Sequence, residues 1–274
     1  AGPVGSADAE KIAYVIQTAR KLGVPLIGLY DSAGARIQEG LSVTTATGKI
    51  FFANSIASGC IPQISAIMGP CIGVGSYSPA LTDFVLMVQN SSQMFITGPA
   101  VIREVLGETV TMEELGGAKI HSEVSGVTDL VAKNDEECLA MIRRLLGFLP
   151  SSFESPPPRK PTQDDPNRPV DSLEKIVPDD ARRAYNILQV IKAIVDDGEF
   201  LELKSKIARN LVIGFGRLDG HPVGFVANQP MFLAGSLDVD ASDKAARFIR
   251  FCDAFNIPVI TLMDVPGFFP GKQQ

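Results

Sequence analysis

The sequence predicts an α/β protein that contains two related domains, and three observations support this prediction. Apolar runs of strand length alternate with amphipathic helical patterns along most of the 274 residues, as in layered α/β folds. A proline-rich segment at 156–172 reads as an extended linker and divides the chain into domains 1–155 and 173–274. One pattern of helix, strand and turn also occurs twice.

The repeat is the strongest of these observations. In both copies an amphipathic helix leads to an apolar strand, an Asp and a turn of small residues. At a constant offset of 233 residues the matching pairs are Lys11 and Lys244, Pro25 and Pro258, Asp31 and Asp264, and Gly34 and Gly267. The second copy carries a preceding hairpin and the first carries a following strand and turn, so we expect both domains to be incomplete in this chain.

In the first domain, helix and strand signals alternate in order. Gly23 ends the first helix, as a C-terminal glycine commonly does, and Thr111 with Glu114 forms a capping box. Gly69-Pro70 predicts a break in the second strand, and Ser78 before Pro79 predicts the next helix start. The predicted elements are helices at 8–22, 41–58, 100–106, 111–115 and 134–146, strands at 25–30, 63–68, 84–88 and 94–97, and a small-residue turn at 31–36.

The second domain begins with a helix. Asp219-Gly220 between two apolar runs predicts a hairpin. The predicted elements are helices at 180–195 and 242–255 and strands at 211–218, 223–228 and 258–263.

Two glycine-rich turns of the first domain, after Tyr30 and after Met68, predict a functional site. Small side chains leave backbone N–H groups uncovered, and such groups favour negative charge. Two converging N–H groups form an oxyanion hole, which stabilises charge on a carbonyl oxygen. A tight turn packed in a core is the alternative interpretation.

Composition excludes several classes of protein. The net charge of −6 makes a nucleic-acid partner unexpected. Four cysteines without metal-ligand spacing predict reduced thiols, a cytoplasmic location and no bound metal. No apolar run is long enough to span a bilayer, and no signal peptide is recognisable.

Several long motifs together resemble one family. They are DSAGARIQEG from Asp31, GPCIGVGSYSPALTDF from Gly69, MFITGPAVI from Met94, EELGGAKIH from Glu113, NQPMFLAGSLDVDASDKAARFIRFCDAFNIPV from Asn228 and DVPGFFPG from Asp264. This set is similar to the carboxyltransferase subunits of biotin-dependent acyl-CoA carboxylases, including propionyl-CoA carboxylase β, methylmalonyl-CoA carboxyltransferase and the related methylmalonyl-CoA decarboxylase α subunits.

The resemblance implies two crotonase-like domains and carboxyl transfer between carboxybiotin and an acyl-CoA through an enolate. The biotin would be carried by a partner carrier protein and loaded by a biotin carboxylase, and the subunit would form a homo-oligomer, a hexamer at full length. By motif position it assigns oxyanion donors at Ala35, Gly73 and Val74, acyl-CoA contacts at Gly34, Arg36, Gly75, Ser76 and Tyr77, and a biotin side at Gly267, Phe268 and Gln273.

The family pattern has Gly-Gly-Ala at positions 73–75, where this chain has Gly-Val-Gly. If that turn requires positive φ at Val74, the residue is strained, so Ala35 and Gly73 are the preferred donors.

Other residues with functional potential have structural interpretations that we favour. We interpret Arg36 and Lys119 as solvated surface charges, and Cys71 as a buried thiol. We interpret His121 as a structural residue. Turn bracing explains Asp31 and Asp264. For Tyr77, contact with the acyl group and simple packing remain open.

Two alternative functions remain. The chain could belong to a sodium-pumping decarboxylase that runs the same half-reaction toward loss of the acyl carboxylate, or it could be an inactive fragment. The acyl-chain preference is not readable from these residues.

Overall fold

The computed structural model describes residues 2–180 and 182–272, which form two compact units. The first extends to Arg144 and includes Ser151–Glu154, and the second comprises Leu145–Pro150 and the residues from Ser155 onward. Both units combine helices with a β-sheet, so the predicted α/β class is confirmed.

The first unit is built on a parallel sheet. Its strands are β1 (Gly2–Val4), β2 (Leu26–Ala35), β3 (Gln63–Ile72), β4 (Phe84–Val88), β5 (Gln93–Phe95) and β6 (Leu130–Ala132), in the order β1-β2-β3-β4-β6 with β5 beside β3. Its helices are α1 (Ser6–Leu22), α2 (Leu41–Ala57), α3 (Val74–Ala80), α4 (Pro99–Leu106), α5 (Met112–Gly116), α6 (Ala118–Glu123) and α7 (Asp135–Leu146), the last ending in the second unit.

Helices α1 and α2 form one core of this unit through small side chains. Alanines at this contact let the two helices approach closely, and isoleucines fill the remaining space. The buried residues are Ala9, Ala13, Ile16, Ala19, Ala46, Ile50, Ala53, Ala57 and Ile61.

Strands β2 and β3 are both longer than predicted. Strand β2 continues through the predicted turn at 31–36 because β1 pairs with its last residues. Strand β3 continues through Gly69-Pro70 because residues 70–72 pair with β5. Both additions depend on neighbouring strands, which local turn signals do not report.

Helix α3 begins at Val74, so the predicted start at Ser78-Pro79 is wrong. Pro79 instead lies inside the helix, where it cannot donate to the carbonyl of Gly75 four residues earlier. The thiol of Cys71 donates to that carbonyl oxygen at 3.1 Å. The proline is thus accommodated by a side-chain donor from the end of β3.

Two predicted helix boundaries in this unit are confirmed, and the helix predicted at 134–146 has a side-chain cap at its first predicted residue. Gly23 ends α1 in the left-handed conformation, with φ 64°. The hydroxyl of Thr111 accepts from the N–H of Glu114, whose carboxylate accepts from the N–H of Thr111. The amide oxygen of Asn134 accepts from the N–H of Glu137 at 2.8 Å.

The second unit has a mixed sheet. Its strands are β7 (Leu201–Leu203), β8 (Leu211–Leu218), β9 (His221–Asn228) and β10 (Val259–Leu262), in the order β10-β9-β8-β7. Its helices are α8 (Leu173–Ile176), α9 (Ile187–Ile194) and α10 (Val239–Ala254). The β8–β9 hairpin is as predicted, and Asp219 and Gly220 have the positive φ values that a two-residue hairpin turn requires.

Two helix starts in this unit differ from the prediction. Helix α9 begins at Ile187 rather than at 180, because the side chain of Asn186 caps the N–H of Leu188. Helix α10 begins at Val239 rather than Ser242, because Asp238 caps the N–H of Ala241. In both cases the capping residue, rather than the apolar period, sets the boundary.

The proline-rich segment belongs to the second unit and packs against its hairpin. The N–H of Lys160 donates to the carbonyl of Gly220, and Arg159 forms an ion pair with Asp219 at 2.9 Å. This part of the segment is thereby held against the β8–β9 turn.

Candidate functional site

The turn at the end of β2 directs one backbone N–H away from β1. Arg36 donates its N–H to the carbonyl of Val4 at 2.9 Å, in register with the pairing of Val4 and Ala35. Because successive N–H groups of a strand point to opposite sides, the N–H of Ala35 points toward the side of β3.

Gly34 brings this turn close to the end of β3. Its φ of +90° is unfavourable for residues with a side chain, and an added Cβ would lie 2.8 Å from the carbonyl oxygen of Ile72. Only glycine fits without a shift of the backbone. The two glycine-rich turns that the sequence analysis singled out therefore lie side by side.

The second turn uses Gly73 as its bend rather than as a donor. Gly73 has φ +57°, and its N–H donates to the carbonyl of Phe95 at 2.9 Å. That hydrogen bond occupies the N–H assigned as an oxyanion donor from the sequence, because β5 was not expected to reach this position. The assignment of Gly73 as a donor is corrected accordingly.

Val74 and Gly75 follow as the first residues of α3. Within residues 2–180 and 182–272, no protein acceptor meets either N–H group. Val74 has a helical backbone and is absent from the positive-φ residues of the described chain. The strain expected from valine in the family turn is avoided, because the positive φ falls on Gly73.

The next two residues have different surroundings. Ser76 is buried, and its hydroxyl donates to the carbonyl of Gly73 at 2.7 Å, which closes the turn. Tyr77 is 45 % exposed, with its ring 5.6 Å from that of Phe51. Ser76 is thus turned toward its own backbone, whereas Tyr77 is accessible.

A cavity of about 550 Å³ opens beside this turn. Tyr30 and Ser78 supply polar groups at the cavity, and their hydroxyl oxygens lie 3.3 Å apart. Burial raises the pKa of Tyr30, so the phenol is neutral. Apolar side chains dominate the rest of the lining, which includes Ile12, Val15, Ile27, Leu29, Phe51 and Val74.

Cys71 lies at this turn as a protonated thiol. Burial raises its pKa to about 12, and its hydrogen bond to Gly75 gives it a structural role. This geometry agrees with the structural interpretation and offers no thiolate nucleophile at neutral pH.

His121 and Arg36 also have local partners. The two ring nitrogens of His121 lie 2.7 Å from the hydroxyl of Ser125 and 2.6 Å from the carbonyl of Met94. Arg36 forms an ion pair with Glu39 at 3.2 Å. Lys119 is exposed. These contacts fit the structural and surface interpretations.

The second unit contains an equivalent of the first turn. The N–H of Leu237 donates to the carbonyl of Gly267 at 3.1 Å, and the carbonyl of Leu237 accepts from the N–H of Phe269 at 2.7 Å. Leu237 and Phe268 thereby pair as in a parallel sheet. These residues follow Val4, Ala35 and Arg36 by the offset of 233. The repeat is therefore preserved in backbone hydrogen bonds as well as in sequence.

Phe268 thus corresponds to Ala35 in this arrangement, and its side chain is 81 % exposed. Gly267 has φ +145°, where its counterpart Gly34 has +90°. Gln273, the third residue assigned to the biotin side, lies outside the described residues.

Asp264 precedes this turn and contacts Tyr185. Burial, followed by a hydrogen bond to the Asp264 carboxylate, raises the pKa of Tyr185 to about 12. The contact supports the bracing role expected of Asp264. Sequence reasoning missed Tyr185 because it lies far from the turn in the chain.

The described residues contain no cluster of three or more side chains suited to a metal ion. Across the same residues, no helix combines the length and apolar character needed to cross a bilayer.

Comparison with known proteins identifies the family. Residues 1–274 match the family described as carboxyl transferase domain. The chain is 54 % identical over 273 residues to the methylmalonyl-CoA decarboxylase subunit alpha of Veillonella parvula, and the match covers all of this chain and 54 % of that protein. It is also 54 % identical to the propionyl-CoA carboxylase carboxyltransferase subunit of Haloferax mediterranei, and covers 53 % of that protein.

A solved structure is similar over nearly the whole chain. It is a transcarboxylase 12S hexamer with methylmalonyl-coenzyme A and methylmalonic acid bound, and it matches with a TM-score of 0.96 and 46 % identity over 99 % of this chain and 53 % of that one. This match supports the crotonase-like fold expected from the sequence. The chain spans about half the length of the relatives it matches. With its whole length matched by one family model, the chain belongs to the carboxyl transferase family.

Proposed function

We propose that this protein transfers a carboxyl group between biotin and a short acyl-CoA of the propionyl-CoA or methylmalonyl-CoA type. The observation that carries the proposal is 54 % identity over the full chain to a carboxyltransferase subunit of propionyl-CoA carboxylase. The neighbouring turns of the first unit supply a matching chemistry.

The proposed chemistry at the first unit relies on backbone donors. Among the described residues, Val74 and Gly75 have N–H groups without a protein acceptor, and the N–H of Ala35 points toward β3, the strand that precedes them. These groups would hold the thioester oxygen of the acyl-CoA and stabilise the negative charge that develops on it in the enolate. One such donor contributes ~3 kcal/mol to transition-state stabilisation.

The cavity beside Val74 offers apolar surface next to these donors. Its lining is mainly apolar, which suits a short acyl chain, although Asp8, Lys11 and Asp31 also line it. Tyr77 is exposed at the same helix and is available for contact with the acyl-CoA.

The second unit would serve the biotin side. Carboxybiotin, carried by a partner protein and loaded by a biotin carboxylase, would supply the carboxyl group. The residues present fit that role at one point: Phe268 repeats the backbone position of Ala35 and is accessible. We further propose a homo-oligomer, since the similar transcarboxylase 12S forms a hexamer. A cytoplasmic location remains a prediction.

A second function has support of its own. The Veillonella parvula relative is a methylmalonyl-CoA decarboxylase subunit, and its identity of 54 % equals that of the carboxylase subunit. In that case the same half-reaction would serve decarboxylation. Dependence of turnover on an integral membrane partner would favour this alternative over the carboxylase.

The test is a transfer assay on the purified protein. Methylmalonyl-CoA is incubated with free biotin, and formation of propionyl-CoA is followed by chromatography. Biotin-dependent propionyl-CoA formation is expected. A folded protein that forms none, with or without biotin, would contradict the proposal and favour an inactive fragment.

A further inference from the structure

The second unit buries a lysine that the proposed chemistry does not use. Lys244 lies on α10 with only 5 % of its surface exposed. Its ammonium donates to the carbonyl oxygens of Lys204 and Ile207 at 2.9 Å, Leu211 at 2.7 Å and Ala208 at 3.3 Å. An ammonium has three N–H donors, so these four carbonyls satisfy it completely.

The carbonyl oxygens come from a loop with unusual backbone conformations. Lys204 and Ala208 have φ values of 50° and 45°, a region that residues with side chains rarely adopt. Such conformations persist only where surrounding contacts hold them. The Lys244 ammonium supplies four of these contacts, and the carboxylate of Glu202 adds an opposite charge nearby.

The same loop holds the segment that follows β9. The side-chain amide of Asn210 donates to the carbonyl of Ser236 at 2.7 Å and to the carboxylate of Asp238 at 3.2 Å. The carbonyl of Asn210 accepts from the N–H of Gln229 at 2.8 Å. The loop therefore fixes both ends of the segment 229–238.

This segment in turn holds the candidate biotin-side turn. Leu237, next to Ser236, makes both backbone hydrogen bonds to Gly267 and Phe269. Those two bonds set the orientation of the intervening N–H of Phe268. Hydrogen bonds, together with the short backbone segments between them, thus join the buried ammonium to this turn.

We propose that Lys244 is a positioning residue for the Gly267–Phe269 turn and acts through the loop 204–211 and the segment 229–238. Its importance for carboxyl transfer rests on the proposed function, but the placement of the turn does not. The two can be tested separately.

The test measures amide hydrogen exchange in the whole chain. Lys244→Met removes the ammonium and keeps an apolar side chain of similar length. Exchange of the hydrogen-bonded N–H groups of Leu237 and Phe269 should accelerate by about tenfold, the effect of losing a typical hydrogen bond. The β8–β9 amides should keep their protection. Lys175→Met, at an exposed lysine on α8 of the same unit, is the matched control and should change neither.

Chemical rescue separates positioning from general destabilisation. In Lys244→Ala, propylammonium replaces the missing atoms and should restore protection at Leu237 and Phe269, whereas propan-1-ol, of the same size but without charge, should not. If Lys244 variants fail to fold, Asn210→Ala breaks the next link and should accelerate the same two amides. Unchanged exchange at Leu237 and Phe269 in folded Lys244→Met or Asn210→Ala would overturn the proposal.

The transfer assay then reports on function. If turnover by the unchanged protein is absent, the proposed function fails while the exchange result still decides the positioning role. If turnover is present, Lys244→Met should lower kcat and raise the KM for biotin, with the KM for methylmalonyl-CoA unchanged. A proportionate change in both KM values would contradict a role confined to this turn.

Discussion

The N–H of Val74 can be removed without disturbing the fold, which makes it the sharpest test of the proposed oxyanion hole. Val74 is the first residue of α3, a position where proline is well tolerated because its missing N–H has no helical partner. No acceptor in the described chain meets this N–H. Val74→Pro should therefore leave the free energy of unfolding nearly unchanged.

The expected effect on catalysis is large by comparison. Loss of one oxyanion donor costs ~3 kcal/mol in the transition state, which corresponds to about a hundredfold in turnover. Val74→Ala is the control, since it shortens the side chain at the cavity but keeps the N–H. We expect the alanine variant to stay within about threefold of the unchanged protein.

The assay is biotin-dependent formation of propionyl-CoA from methylmalonyl-CoA, together with thermal unfolding of each variant. A Val74→Pro protein that is folded and turns over as fast as Val74→Ala would refute the assignment of this donor. A variant with a much lower unfolding temperature would show instead that the N–H has a structural partner.

Three other predictions follow from the same region and its surroundings. Gly73→Ala should lower the free energy of unfolding by about 1–3 kcal/mol in denaturant titrations, because φ 57° with ψ −123° is unfavourable for alanine. Gly34→Ala should cost more, because its added Cβ also meets a carbonyl oxygen at 2.8 Å. Cys71→Ala should retain transfer activity, and loss of all turnover would contradict this. In the unchanged folded protein, the Cys71 thiol should resist alkylation at pH 8, since burial raises its pKa to about 12. The hydrogen bonds from Thr111 lower the pKa of Glu114, so their contribution to stability is complete above the ordinary value of 4.5 and is lost as the pH falls through the lower folded pKa. In Glu114→Gln, the free energy of unfolding should fall less steeply as the pH is lowered below 4.5. An unchanged pH dependence would contradict a stabilising role for these hydrogen bonds.

Much of the fold was predictable from local signals in the sequence. Glycine at position 23, the Thr111 capping box and the Asp219-Gly220 turn each act within a few residues, and each forms as predicted. The correspondence between the turn after β2 and the turn at Gly267–Phe269 was also predictable. The repeat at an offset of 233 residues in the sequence is matched by the backbone hydrogen bonds.

The errors concern partners that lie far apart in the chain. Gly69-Pro70 remains in β3 because β5 pairs with it, and the same strand takes the N–H of Gly73. Pro79 sits inside α3 because Cys71 supplies the donor that the carbonyl of Gly75 lacks. A local pattern cannot reveal which distant group will satisfy a backbone atom.

The candidate site shows the same division. The turn residues were identified from their small side chains, but the choice among Gly73, Val74 and Gly75 depended on which N–H groups were already bonded. The cavity beside Val74 and the four carbonyl oxygens around the Lys244 ammonium depend on tertiary packing, and no local pattern in the sequence indicates them.

Calorimetric titration with propionyl-CoA, with free CoA and biotin as controls, measures whether the Val74 turn holds a thioester. We expect saturable binding of propionyl-CoA that is tighter than binding of CoA, and weaker binding of propionyl-CoA to Val74→Pro than to Val74→Ala. Equal affinity for propionyl-CoA and CoA, or no binding of either by the folded protein, would contradict a thioester site at the Val74 turn.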